Sequence, residues 1–216
     1  MGHFDAVLFD FGHTLFEHAT PATLCAAFAE QGLVLDESSF VEVWEAIHLE
    51  SRSALELAKG RDLSAALHRS CWLTLFEPLD DLALGLADLA YRSICDPFGW
   101  VPFPESEEVL RALRTAGIST AVVSDCGSDI RSIFRHHGLD ALVDHFVLSF
   151  EHGMAKPDPR MFRLACEALG TEPARTLMVG DKAATDGGAD ELGITCLVIP
   201  PVGRRPGALR AVLALV

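Results

Sequence analysis

Apolar residues along the chain follow two different patterns, and the patterns divide it into two regions. A short apolar run that ends in an acid occurs at 6–11, and further short β-rich runs occur at 118–124, 145–149, 176–180 and 194–199. Runs of this length without polar alternation predict strands buried on both faces of a parallel sheet. Helical spacing fills the intervals. Val109, Leu110 and Leu113 mark one face of a helix over 105–116, and further helices are predicted over 128–137, 159–169 and 184–192. Gly117, Gly138, Gly170 and Gly193 follow these four segments, where a left-handed residue ends a helix. Strands alternating with helices predict an α/β fold with a doubly wound, Rossmann-like parallel sheet.

The stretch 17–100 breaks the alternation and reads as helices only. Thr20 as N-cap, Pro21 at the first helical position and Gly32 as terminator define one helix. Phe40, Val43, Trp44 and Ile47 form the i, i+3, i+4, i+7 stripe of a second. Leu63, Leu67 and Cys71, then Leu82, Leu86 and Leu89, give two more, punctuated by Pro78 and Pro97. The expected organisation is a core of residues 1–16 and 101–216, with 17–100 as an α-helical insertion over the carboxyl ends of the strands, where ligands of such folds bind.

Those strand ends carry polar residues for which a buried sheet has no structural use. Asp10 and Thr14 follow the first run, Ser124 the second, Lys156 the third, and Asp181 with Asp186 the fourth. Parallel strands present their carboxyl ends on one rim, so these groups should meet in one cleft. Three carboxylates brought together raise one another's pKa and lose hydration. A hard divalent cation resolves that conflict, and Mg²⁺ suits carboxylate, carbonyl and water oxygens.

In order and strand context, VLFDFGHTL, VVSD, KPDPRMF and MVGDKAATDGGA resemble the four motifs of the haloacid dehalogenase-like hydrolase superfamily. The resemblance implies a Mg²⁺-dependent phosphatase acting on a small phosphorylated metabolite, with Asp10 attacking phosphorus to form an aspartyl-phosphate. It also implies that Ser124 and Lys156, with Thr14, hold the phosphoryl oxygens. Asp10, the Gly12 carbonyl and Asp181 would ligate Mg²⁺, with Asp186 as a further ligand or as an orienting residue. The insertion resembles the superfamily's helical, C1-type cap, which closes over substrate and excludes water. A phosphoryl group in flight spreads negative charge over its oxygens, so a lysine such as Lys156, hydroxyl donors and a metal are what its transfer needs.

Two alternatives stay open. Dehalogenation or another carbon-centred displacement through Asp10 needs no metal, and a non-catalytic binding or regulatory protein could retain the motifs. The sequence departs from the phosphatase pattern at Gly12, where the family usually has the aspartate that protonates the leaving group. General acid help is worth roughly 10²- to 10⁴-fold in rate. His13 stands where glycine is usual and could supply a proton near neutral pH. Asp125 replaces a frequent asparagine, adding a carboxylate that either repels anions or turns into the following loop. Lys182 reads as a solvated surface lysine.

The formal charge of −14 argues against nucleic acid as a partner, and Arg204 with Arg205 is the only short basic cluster. No signal segment opens the chain at Met1, and no apolar stretch approaches the roughly 20 residues needed to span a membrane. The six cysteines lack a C-x-x-C pair and read as reduced, mostly buried thiols in a cytoplasmic protein. His18, His48, His68, His136, His137 and His152 read as surface or satisfied core residues, and Trp44, Trp72 and Trp100 as packing residues of the insertion.

Overall fold

The computed structural model describes residues 4–199 and 207–216; Met1 and the pair Arg204 and Arg205 lie outside them. Five parallel strands, β1 (Ala6–Phe9), β4 (Ser119–Ser124), β5 (His145–Leu148), β6 (Thr176–Gly180) and β7 (Thr195–Val198), form a sheet in the order β5-β4-β1-β6-β7. Residues 6–9 and 176–180 are buried throughout, as continuous apolar runs require. The sheet grows from β1 outwards through β4 and β5, then restarts on the other side of β1 with β6. That reversal makes the carboxyl end of β1 the switch point where ligands of open α/β sheets bind.

Alternation along β1 feeds two cores. Val7 and Phe9 join Leu110, Leu113, Val122 and Phe134 on one face, while Leu8 joins Ala121, Val123, Met161 and Phe162 on the other. The covering helices include α6 (Pro104–Thr115), α7 (Arg131–His136) and α9 (Pro159–Leu169). α9 is bounded as the sequence predicts. Asp158 caps it through Arg160 N, Pro159 occupies the first turn, and Gly170 ends it at φ 65°.

Two helical expectations are corrected. α7 starts later than 128 because the Asp129 carboxylate accepts the Arg131 N–H at 3.0 Å, which holds the approach as a local turn. The helix expected over 184–192 is a single α turn, α10 (Ala183–Asp186), followed by a 3₁₀ segment, Gly187–Leu192. A Cβ at Gly188 would lie 2.1 Å from the Pro157 carbonyl oxygen, so close packing against that loop takes precedence over helical regularity.

The insertion contains α1 (Pro21–Glu30), α2 (Glu37–Glu50), α3 (Ala54–Ala58), α4 (Ala65–Phe76) and α5 (Leu86–Cys95). It has a core of its own, in which Leu24, Phe28, Phe40, Trp44, Ile47, Phe76 and Leu86 are buried together. Its ends, the hinge regions that Pro and Gly mark around Glu17 and over 98–104, are extended: β2 (Phe16–His18) and β3 (Trp100–Pro102) pair as an antiparallel ribbon that the sequence did not predict. Leu63 and Leu82 also fall outside their expected helices. Leu63 closes the 3₁₀ turn Arg61–Leu63 before the N-cap Ser64, and left-handed Gly85 separates Leu82 from α5. α3, capped by Ser53, was not foreseen.

The insertion touches the core at further places, among them the following two. The Arg61–Leu63 turn packs on α8 (Ser149–His152), which follows β5 directly. At Gly127, three residues beyond β4, a Cβ would lie 2.1 Å from that of His68, so only glycine admits this contact. Among the described residues no helix is long and apolar enough to cross a membrane. All six cysteines are free; Cys71 and Cys166 are buried, while the other four are half-buried rather than sealed in the core.

Candidate active site

Strand register brings the polar residues together. Phe9 pairs with Val122 of β4 and Val179 of β6, so Asp10 lies between the ends of the strands that carry Ser124 and Asp181. Oxygens of Asp10, Asp181 and Asp186 lie within 4.8 Å of one another. Into this group the loop before α9 sends Lys156, whose ammonium is 2.8 Å from Asp10 Oδ1 and 2.6 Å from Asp186 Oδ1. Lys156 and Asp186 are both buried. Burial opposes the lysine's charge, but the Asp10 and Asp186 carboxylates outweigh it and hold the ammonium above the usual lysine range.

The three carboxylates differ in what remains for a ligand. Asp186 uses both oxygens within the protein, Oδ1 for Lys156 and Oδ2 for the Lys182 N–H at 3.0 Å. This occupancy fits it to orient Lys156 rather than to ligate an ion. Asp10 Oδ1 accepts the Phe11 N–H at 2.8 Å as well as Lys156, leaving Oδ2 outside these bonds. Asp181 Oδ1 is sealed from solvent with no hydrogen-bond partner among the described residues. Burial, with the Asp10 charge adding to it, pushes the Asp181 carboxyl up to about 6. An orphaned carboxylate oxygen facing a second carboxylate is a costly arrangement unless a cation completes it. Asp10 and Asp181 therefore fit a hard divalent ion; among the described residues Lys156 is the buried cation paired with these carboxylates, while Lys182 acts on Asp181 from the exposed surface.

Gly180 makes the arrangement sterically feasible, since a Cβ there would lie 2.1 Å from Asp186 Oδ2. Asp125 does not face the site as a free anion. Its Oδ1 accepts the Lys156 N–H at 2.8 Å, fixing the loop that presents the lysine, and burial raises its carboxyl to about 6. Ser124, at the end of β4, is buried, and Lys182 is exposed. Thr14 is fully buried and its Oγ1 has no partner among the described residues.

Gly12 bridges to Phe16, and a Cβ on it would meet only the Trp100 ring, at 3.7 Å. His13 takes the left-handed conformation at φ 61°, which keeps the turn after Asp10 tight without a glycine. Burial and then the charges of Lys182 and Arg52 lower its pKa, so its ring is neutral near pH 7.

Several residues with no marked signal in the sequence hold buried polar contacts around the site loops and in the insertion. Ser149 was read as the end of a strand. Its buried hydroxyl instead accepts the Cys126 N–H at 2.9 Å and donates to the Asp62 carbonyl at 2.7 Å, joining the loop after Ser124 to the insertion. His48, which reads from the sequence as a surface or satisfied residue, has a buried Nδ1 without a partner among the described residues. His68 is buried, with Nδ1 3.2 Å from the Tyr91 hydroxyl. Trp44 and Trp72 pack the insertion as expected, both stacking on Phe76, whereas Trp100 packs against Phe11 of the sheet core, with ring centroids 4.6 Å apart.

Comparison with known proteins agrees with this architecture. The sequence profile described as haloacid dehalogenase-like hydrolase matches residues 4–189. A phosphoserine phosphatase of Thermus thermophilus is 36% identical over 88 residues, 39% of this chain and 34% of that protein. The (S)-2-haloacid dehalogenase 4A of Burkholderia cepacia is 30% identical over 106 residues, 48% of this chain and 46% of that one. The chain thus spans less than half the length of each of these two relatives. In overall fold it is similar to the crystal structure of a HAD phosphatase from Thermococcus onnurineus, with TM-score 0.63 and 24% identity over 98% of this chain and 97% of the other. Sheet, motif residues and profile converge: the chain belongs to the haloacid dehalogenase-like hydrolase family.

Proposed function

We propose that this hydrolase is a Mg²⁺-dependent phosphatase of small phosphorylated metabolites, working through an aspartyl-phosphate on Asp10. The observation that carries this reading is the charge balance of the cleft. Three carboxylates face one buried ammonium, and Asp181 retains an oxygen with no partner. The deficit is what a divalent cation bound by Asp10, Asp181 and the Gly12 carbonyl would cancel. When bound there, such an ion neutralises charge on the transferring phosphoryl group.

The protein groups have distinct tasks. An Asp10 oxygen forms the new bond to phosphorus as the ester oxygen leaves, and water later hydrolyses the acyl phosphate to regenerate the carboxylate. Lys156 holds Asp10 and neutralises phosphoryl oxygens, with Ser124 and Thr14 as hydroxyl donors. Asp186 fixes the ammonium. The helical insertion serves as the cap that excludes water. Gly12 gives the leaving oxygen no acid, which favours substrates whose alcohol departs easily.

A dehalogenase-like reaction is the second reading, because Lys156 already pairs with both Asp10 and Asp186 without any ion. The two separate cleanly. Phosphate release from p-nitrophenyl phosphate should require Mg²⁺ and vanish in Asp10→Asn, whereas metal-free halide release from 2-chloropropionate with no phosphate release would refute the phosphatase. For a chain of net charge −14, a small molecule is the proposed partner rather than nucleic acid or a membrane. Six free thiols suit the reducing cytoplasm as its place of action.

A further inference from the structure

The turn after Asp10 has open space beside the nucleophile, and one aromatic ring borders it. Alternation carries Val7, Phe9 and Phe11 into one core, so Asp10 and position 12 face the other way. Apart from its chain neighbours, a Cβ on Gly12 would meet only Cη2 and Cζ3 of Trp100, both at 3.7 Å. The Asp10 side chain is 14% exposed, so this space adjoins a carboxylate that a substrate can reach.

Trp100 is held in place by contacts on its other sides. Its ring packs on Phe11 with centroids 4.6 Å apart and meets His18 edge to face at 5.0 Å. Its indole N–H donates to the Ile94 carbonyl at 3.1 Å, and its own carbonyl lies 2.9 Å from His137 Nε2. The ring is half-buried, and the edge it turns to Gly12 is the benzenoid one. Such an edge carries the positive end of the ring quadrupole, which attracts the face of another aromatic ring in a T-shaped contact.

Two demands on the substrate follow from the same space. Gly12 offers no proton to the departing oxygen, so the alcohol must leave as a stable anion. A phenol does so, with a pKa of about 10. An apolar wall beside the space takes a ring in preference to a hydrated sugar or polyol. A leaving group that is both weakly basic and aromatic meets both demands.

We infer that the enzyme selects aryl phosphates, with Trp100 as the specificity-determining residue that receives the departing ring beside Gly12. This inference rests on the phosphatase reading and names its substrate class. An Asp10 oxygen bonds to phosphorus while the bond from phosphorus to the aryl oxygen breaks, its electron pair leaving with the phenolate. Water then cleaves the acyl phosphate, restoring the Asp10 carboxylate and releasing phosphate, and the phenolate takes up a proton from water.

The test has a kinetic arm and a binding arm. With Mg²⁺, kcat/KM for phenyl phosphate should exceed that for benzyl phosphate, which keeps the ring but releases an alkyl alcohol, by roughly 10²-fold or more, the scale of the missing acid help. Phenylphosphonate and cyclohexylphosphonate cannot be hydrolysed at this bond, so comparing their binding by thermal shift separates the ring from leaving-group chemistry. Phenylphosphonate should bind the wild type roughly 2- to 10-fold more tightly. Trp100→Leu should bring that ratio towards one. Gly12→Val fills the space from the opposite wall and should do the same, which decides the assignment if Trp100→Leu does not fold. Equal binding of the two phosphonates by the wild type, a ratio unchanged in both variants, or equal turnover of phenyl and benzyl phosphate overturns the inference. If phenyl phosphate is cleaved while the phosphonates bind equally, only the aryl assignment falls and the phosphatase reading stands. If p-nitrophenyl phosphate releases no phosphate and neither phosphonate binds, the phosphatase reading fails and the aryl assignment falls with it.

Discussion

The Lys156 ammonium lies 2.6 Å from Asp186 Oδ1, a buried ion pair between the loop before α9 and the helical turn after β6. Because Lys156 also reaches Asp10, this pair fixes the position of the cation beside the proposed nucleophile. Replacing the lysine by methionine leaves two buried or half-buried carboxylates uncompensated. Breaking a buried pair in this way costs about 3–5 kcal/mol. Urea unfolding of Lys156→Met should show a loss of that order at pH 7.5 and a smaller one at pH 5, where acid relieves the unbalanced negative charge.

Gly180 is fixed by the same pair. A Cβ there would lie 2.1 Å from Asp186 Oδ2, so Gly180→Ala must push the carboxylate away from Lys156 or shift β6. Overpacking of this kind costs about 1–3 kcal/mol. Chemical denaturation should report that loss, accompanied by reduced phosphatase activity.

At Gly12 the space is open, since a Cβ would make only ordinary contact with Trp100 at 3.7 Å. Gly12→Asp should therefore fold normally and restore a leaving-group acid. Turnover of alkyl phosphates should rise, by up to the roughly 10²- to 10⁴-fold that general acid catalysis supplies, while p-nitrophenyl phosphate gains much less. Steady-state kinetics on both substrates checks this. Equal effects on the two would mean that leaving-group protonation does not limit the enzyme.

Metal-linked stability should depend on pH through Asp181. Its carboxyl titrates near about 6 in the folded chain, against roughly 3.9 when unfolded. Between these values the folded chain keeps a proton that the unfolded chain has released. This group therefore favours the fold at low pH, and its contribution is lost as pH rises through about 6. Cation binding needs the ionised form, so stabilisation by Mg²⁺ should be small at pH 5 and large at pH 7.5. Thermal melts read it as about 2–4 °C for each kcal/mol of binding in a chain of this size.

Much of this architecture is legible in the sequence where local and tertiary demands agree. β1 and β6, at the centre of the sheet, are buried throughout because both faces are covered, and α9 is bounded by Asp158, Pro159 and Gly170, each of which acts locally. The ribbon of β2 and β3 was hidden because its two short strands are separated in the chain by the whole insertion. Gly187 and Gly188 gave no warning that contact with Pro157 would replace a helix by a 3₁₀ segment. Asp10 and Asp181 could be read from their positions directly after β1 and β6, and Lys156 and Asp186 from the motifs that carry them. Ser149 could not, because its importance lies in partners 23 and 87 positions away in sequence that no local pattern reveals.

The most direct test of the account is calorimetric titration of the purified chain with Mg²⁺ or Mn²⁺ at pH 7.5. One ion should bind per chain, and Asp181→Asn should weaken it by at least about tenfold. Absence of saturable binding in the wild type, or affinity unchanged in both Asp10→Asn and Asp181→Asn, would contradict a shared cation between these two acids.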